Sequence, residues 1–260
     1  MKVERVEIKL NYVRMGFAPR ESLDVRGLSW EKEGMNTNSI REGYYKFTPR
    51  FVGVRVFPQE LLSDLNGWRD RLMALSLVGM YTSGELQGVG YGNLSIRSPS
   101  GFIITATRTG SLPVLGPEHY TEIISVDLAH NAVDFRAMNP VTTPSSECMT
   151  HAMFYQADPG VGAVLHVHHR DFWARLLNRV PTTAPDVEYG TPAMADEILR
   201  LYHDSDLPSR GVAAMAGHEE GIITFGRDLN EAGATLLNAY KGNSPGSQPR
   251  FTGSLSLLAE

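Results

Sequence analysis

The sequence predicts an α/β fold in which helices pack on the faces of a central, mostly antiparallel sheet. Three observations lead there. Apolar residues recur at helical spacing over 61–80, through Leu61, Leu62, Leu65, Trp68, Leu72 and Leu75. Short β-branched and apolar runs lie beside one another with tight polar connections, which argues antiparallel pairing. Strands and helices also mix without a strict βαβ rhythm.

The elements follow in order. Val3, Val6, Ile8 and Leu10 suggest one strand, and Phe51, Val54, Val56 and Phe57 another. Between them lie polar segments around Gly27, Gly34 and Gly43, so residues 1–57 read as a strand-rich N-terminal extension. Pro58 and Ser63-Asp64 are start signals for the helix of 61–80, which Gly84, Gly88, Gly90 and Gly92 end. Leu94-Ser95-Ile96-Arg97 and Phe102-Ile103-Ile104-Thr105 form a hairpin across Ser98-Pro99-Ser100-Gly101. A short helix is expected over 118–125, then a strand at Val126-Asp127-Leu128. Ser145 or Ser146 is a natural N-cap for a helix reaching Ala157. A strand over 161–168, helices over 172–177 and 193–202, strands over 212–215 and 222–225, and a helix over 230–240 complete the main domain, 58–241. Residues 242–260 form a tail whose first part is rich in Gly, Ser and Pro.

Composition bounds the function. With 42% hydrophobic and 20% charged residues, the 260-residue chain matches ordinary globular proteins. A net charge of −5 and the lack of a dense Lys/Arg run argue against nucleic acid as partner. No apolar run approaches the roughly 18 residues of a membrane span. The N-terminal stretch lacks the continuous apolar region of a signal peptide, and Cys148 is the single cysteine. A cytoplasmic location without membrane association is expected.

The chemistry concentrates in residues 142–168. In Ala163-Val164-Leu165-His166-Val167-His168 side chains alternate between faces, so His166 and His168 share one face. Two imidazoles about 6–7 Å apart along a strand can converge on one cation, although a bare His-x-His is more often a hydrogen-bonded or surface pair. His218, in a Gly-flanked bend between two apolar strands, offers a third ligand and leaves a tetrahedral ion one open position. Glu147 precedes a helix that a returning strand can fold back toward the histidines. It can be a fourth ligand or a general base, or simply a first-turn glutamate favouring the helix dipole. Gly92-Asn93, Thr109-Gly110 and Ser145-Ser146 are small polar loops suited to an anion. Arg108 is a candidate clamp for phosphate or carboxylate. His151 and Cys148 read as packing residues. Gly88-Val89-Gly90-Tyr91-Gly92 precedes a strand and is no dinucleotide fingerprint.

Taken in order, these motifs resemble the class II aldolase/adducin family. The likeness runs through Gly92-Asn93-Leu94-Ser95-Ile96-Arg97, Ile104-Thr105, Thr109-Gly110, Pro144-Ser145-Ser146-Glu147, His151, 163–168, His218 and the strand of 221–226. It covers about residues 60–240. The resemblance implies a three-layer α/β/α sandwich, a homotetramer with sites at subunit interfaces, and a small anionic substrate. By position it makes His166, His168 and His218 zinc ligands, with Mn²⁺, Co²⁺ or Fe²⁺ as alternatives. Glu147 becomes a metal ligand or the acid/base group, and Gly92, Asn93, Thr109, Gly110, Ser145 and Ser146 the phosphate pocket. The implied reaction is a lyase reaction: aldol or retro-aldol cleavage of a small phosphorylated hydroxy-ketone through a metal-stabilised enediolate. Epimerase, dehydratase or decarboxylase chemistry at the same site, and a non-catalytic adducin-like scaffold, are the alternatives. The chain departs from the family in two places. Glu219-Glu220 follow His218 where the family has glycine, and the segment 180–190 is short. Tyr189 and Asp186 are candidates for a second proton donor.

Overall fold

The computed structural model describes residues 46–242. The expected strand at Val3–Leu10, the rest of 1–45, and residues 243–260 lie outside the described residues. The chain runs β1 (Thr48–Val54), α1 (Gln59–Ala74), β2 (Gly79–Met80), β3 (Gly90–Tyr91), β4 (Asn93–Ser98), β5 (Gly101–Thr105), β6 (Tyr120–Asp127) and β7 (Ala132–Ala137). It continues through α2 (Cys148–Ala157), β8 (Ala163–His168), α3 (Arg170–Leu176), α4 (Pro192–Asp204), α5 (Leu207–Arg210), β9 (Val212–Ala214), β10 (Gly221–Gly226) and α6 (Leu229–Tyr240).

Eight strands form one sheet in the order β1-β7-β6-β5-β4-β8-β10-β9. Every pairing is antiparallel except β1 with β7. The strand expected around Phe51–Phe57 forms over Thr48–Val54 and joins this sheet, so the sheet begins before position 58. Alternation along the strands sends side chains to two separate cores. Ile104 and Val164 meet α2 and α4 through Phe154, Met194 and Ile198. Ile103, Leu165 and Val167 meet α1, α3 and α6 through Leu65, Trp68, Phe172 and Leu236. Helices therefore cover both faces, which is the three-layer sandwich expected. Among the described residues no helix is long and apolar enough to cross a membrane.

Local chemistry corrects several expected elements. The first helix stops at Ala74 rather than Met80, because Ser76 turns left-handed (φ 55°) and the Leu77 amide bonds back to the Leu72 carbonyl. Leu77 and Val78 are buried beyond its end, so their apolarity reports core rather than helix. The helix expected over 118–125 is a strand. Thr121, Ile123, Ile124 and Val126 are β-branched, and the segment pairs with β5 on one side and β7 on the other. Strands β2, β3 and β7 and the short helix α5 were not expected. The cap of α2 is Glu147 and not Ser145 or Ser146, and it makes no side-chain capping bond. The other elements lie within a few residues of their expected bounds.

Two features place the site. The β4–β5 hairpin closes across Pro99-Ser100 with Ser98 opposite Gly101. Arg97, on β4, bonds the carbonyls of Tyr155 (3.0 Å), Asp158 (2.9 Å) and Val161 (2.7 Å), pinning the return from α2 into β8. That return brings the start of α2, with Glu147, back to the end of β8, with His166 and His168.

Candidate metal centre and anion pocket

His166 and His168 lie on the same face of β8, opposite Leu165 and Val167, as the strand period requires. His218 sits in the bend between β9 and β10, held by its amide on the Met215 carbonyl and by the Gly221 amide on its own carbonyl. One nitrogen from each of the three imidazoles lies within 4.8 Å of the others, and all three residues are buried. Gly221 permits the approach: a Cβ there would lie 2.9 Å from the His218 carbonyl oxygen and 3.2 Å from His166 Cε1.

Electrostatics suit neutral ligands. Burial, then the neighbouring imidazoles His168, His218 and His151, push the His166 pKa well below its usual value. Burial pushes His218 down to about 4, with Lys46 adding to the effect and Glu147 opposing it. Glu147 Oε1 lies 3.7 Å from His218 Nδ1. With His218 held neutral this contact is a polar approach rather than an ion pair. The compact set of ligand atoms contains the three imidazoles and not Glu147.

The donor set fits a divalent cation. His166 Nδ1 faces the Ile222 carbonyl at 3.2 Å, an atom that can only accept, so the proton sits on Nδ1 and Nε2 presents its lone pair. That Nε2 lies 2.9 Å from His168 Nε2. A buried, oxygen-free triad of imidazoles matches zinc and other imidazole-binding ions.

Every residue expected in the anion pocket lines the same cleft as the triad. Gly92, Asn93, Thr109, Gly110, Ser145, Ser146 and Glu147 share it with His166, His168 and His218, and Tyr91, Arg108 and Tyr189 are among the other lining residues. Backbone approaches this wall closely: a Cβ at Gly110 would lie 2.2 Å from the Gly79 carbonyl oxygen and 2.7 Å from Gly90 Cα. Behind it, the buried Arg69 donates to the carbonyls of Thr109 (2.9 Å) and Leu112 (2.6 Å).

The two candidate proton donors separate. Tyr189 is buried in the cleft and stacks on His218, with ring centroids 4.3 Å apart and planes at 19°. Lys46 Nζ lies 3.7 Å above the other partner in this stack, the Tyr189 ring. Asp186 is exposed and does not line the cleft. His151 does not line it either; its Nδ1 contacts Ser95 Oγ at 2.8 Å. Cys148 is buried in the α2 core, and burial pushes its thiol pKa up.

The two acids after His218 turn away from the cleft. Arg170 pairs with Glu219 at 2.5 Å and with Glu220 Oε1 at 3.3 Å. Glu220 Oε2 accepts from the Tyr81 hydroxyl at 2.9 Å, and that hydroxyl lies 3.1 Å from His168 Nδ1. Tyr81, Arg69 and Arg170 were not recognised as supports of the site. Each acts across a long sequence separation with no local spacing signal.

Comparison with known proteins agrees with this geometry. The sequence model of the Class II Aldolase and Adducin N-terminal domain matches residues 79–239. A methylthioribulose-1-phosphate dehydratase of Pectobacterium atrosepticum is 29% identical over 136 residues, covering 46% of this chain and 63% of that protein. The chain thus spans less than two thirds of the length of the curated relatives it matches. Among solved structures, YgbL of Klebsiella pneumoniae superimposes with a TM-score of 0.51 at 19% identity, covering 71% of this chain and 87% of that one. A sugar-phosphate aldolase of Thermotoga maritima gives 0.50 at 15% identity, covering 71% and 92%. At these identities the structures establish the shared fold.

Proposed function

Given that this chain belongs to the class II aldolase and adducin family, we propose that it is a divalent-metal-dependent lyase acting on a small phosphorylated hydroxy-ketone. One observation carries the reading. A buried triad of imidazoles, a carboxylate and a wall of closely approaching backbone face the same cleft. An adducin-like scaffold has no need of that arrangement.

His166, His168 and His218 would hold the ion, zinc being the best match to three imidazoles. When bound, the ion supplies Lewis-acid polarisation of the substrate's carbonyl and hydroxyl oxygens. The remaining work belongs to the chain. Gly92, Asn93, Thr109, Gly110, Ser145 and Ser146 would take the phosphate through backbone amides and hydroxyls, with Arg108 at the rim. Glu147, which the compact ligand set leaves out, would move the proton on the carbon or hydroxyl next to the carbonyl. Tyr189, stacked on His218, would deliver or accept the second proton.

Retro-aldol cleavage is the first reading: Glu147 would take the proton of the hydroxyl on the second carbon from the carbonyl, that oxygen becomes the carbonyl of the departing fragment as the C–C bond breaks, and the carbon left next to the original carbonyl takes a proton from Tyr189. Dehydration is the second, and the dehydratase relative favours it. There Glu147 takes a proton from carbon, and hydroxide leaves as water after gaining one. Both need the same groups and differ in the bond that breaks. A homotetramer completes the proposal, and light scattering of the purified protein tests it.

The deciding experiment incubates zinc-loaded protein with phosphorylated ketoses and follows the products by mass spectrometry. Two fragments support the aldolase reading, and one product lighter by a water supports the dehydratase. No turnover of any phosphorylated ketose, by protein shown to carry metal, would overturn the lyase proposal.

A further inference from the structure

Two acids, Glu219 and Glu220, lie between His218 and Gly221, and their contacts give them a use. Glu220 adopts a left-handed backbone (φ 69°), uncommon for a residue with a long side chain. Its carboxylate is engaged at both oxygens, by Arg170 Nε at 3.3 Å and by the Tyr81 hydroxyl at 2.9 Å. Tyr81 packs against Tyr91, with centroids 4.7 Å apart, and edge-on to His168. Its hydroxyl therefore sits between Glu220 and His168 Nδ1.

Proton counting fixes the direction of this chain of bonds. A phenol carries one proton, and a carboxylate paired with a guanidinium can only accept. Tyr81 donates to Glu220, and its oxygen then accepts from His168 Nδ1–H. His168 is thereby protonated at Nδ1, with a lone pair on Nε2. His166 is held in the same tautomer by the Ile222 carbonyl. The two Nε2 atoms face each other at 2.9 Å with no proton to share between them. Two lone pairs at that distance repel, and a cation bridging them turns the repulsion into ligation.

We propose that Tyr81 and Glu220 are positioning residues that hold His168 in its Nε2-ligating tautomer, preorganising the triad for a metal ion. The proposal rests on the three-histidine reading above. It adds that Glu220 supplies the outer carboxylate, with Arg170 anchoring it from the start of α3. Hydrogen-bonded outer partners of ligating histidines commonly change metal affinity by 10- to 100-fold.

The test uses the full chain and two readouts other than turnover. Zn²⁺ affinity is measured by competition with a chromophoric chelator for wild type, Tyr81→Phe, Glu220→Gln and the double variant. The histidine tautomers of the metal-free proteins are read by ¹⁵N NMR. The expected result is a loss of about 10- to 100-fold in each single variant, with no further loss in the double, since both break one relay. Glu220→Gln is also expected to reverse the relay. Its amide donates to the Tyr81 oxygen, Tyr81 then donates to Nδ1, and His168 moves its proton to Nε2. Tyr81→Phe keeps the ring packing, and should it fail to fold, Glu220→Gln carries the test from the rim of the site. Affinity within twofold of wild type in the variants, with His168 still protonated at Nδ1, would overturn the relay while leaving the triad standing. A wild type that binds no Zn²⁺ would instead strike the three-histidine reading, and the tautomer spectra would still judge the relay.

Discussion

Replacing Arg69 by Met should damage the anion pocket from behind. Arg69 is 1% exposed, and its guanidinium donates to the Thr109 and Leu112 carbonyls. Methionine fills much of the same volume but donates nothing. The Thr109 carbonyl would keep only the Leu112 amide, at 3.1 Å. The Leu112 carbonyl is partly exposed, so water recovers some of its loss. A hydrogen bond from a charged donor contributes about 1.5–3 kcal/mol, and a buried carbonyl stripped of a partner costs about 1–3 kcal/mol. Ending the burial of a guanidinium offsets part of this. The net expectation is a loss of about 2–3 kcal/mol in denaturant unfolding, read by the fluorescence of the adjacent Trp68. Because the loop of Thr109 and Gly110 loosens, KM for a phosphorylated substrate should rise more than kcat falls. Arg69→Lys should recover little, since one ammonium does not reproduce the planar fork. Stability within about 0.5 kcal/mol of wild type, together with an unchanged KM, would refute this role.

Three further predictions are independent of it. Glu147→Gln should lower turnover by about 10²–10⁴-fold while leaving metal content unchanged, checked by elemental analysis beside kinetics; a metal-free variant would make Glu147 a ligand instead. Gly221→Ala should weaken metal binding, because its Cβ would press on the His218 carbonyl at 2.9 Å and on His166 Cε1 at 3.2 Å; an unchanged chelator titration would contradict the fit. His151 is held neutral by burial, with its pKa lowered to about 3. The unfolded chain binds the proton near pH 6.5 and the folded one does not, so stability falls as pH drops below about 6.5. Between pH 7 and 5 this residue's share is about 2 kcal/mol, and a His151→Gln variant should lose that much less over the same range in urea unfolding.

Much of the site was legible because its groups sit at fixed local spacings. The two-residue period of β8 puts His166 and His168 on one face whatever surrounds them, and the helix–strand return after Ser145-Ser146-Glu147 brings the carboxylate back to them. Bends rich in glycine marked Gly92, Gly110 and His218 as places where backbone meets a cleft. The strand β6 was misread because 118–125 is short and carries only Tyr120, Ile123 and Ile124 as apolar positions, too few for a period to separate helix from strand. Leu77 and Val78 continued a helical pattern across a turn that only the left-handed Ser76 reveals. Strand β7 offers little more than Val133 and Phe135 as a signal, and its place comes from pairing with β6 and β1. Arg69, Tyr81 and Arg170 act through partners far away in sequence, and no local pattern encodes that. Glu220 was visible beside His218, but its use depends on Tyr81, which lies far away in the sequence.

The central claim is that His166, His168 and His218 form a metal centre. The most direct test is the metal content of the purified protein by elemental mass spectrometry, beside a His166→Ala, His168→Ala double variant that still folds by circular dichroism. About one divalent ion per chain in the native protein, absent from the variant, is the predicted result. No ion in the native protein after reloading with zinc or manganese, or equal content in the two proteins, would contradict the account.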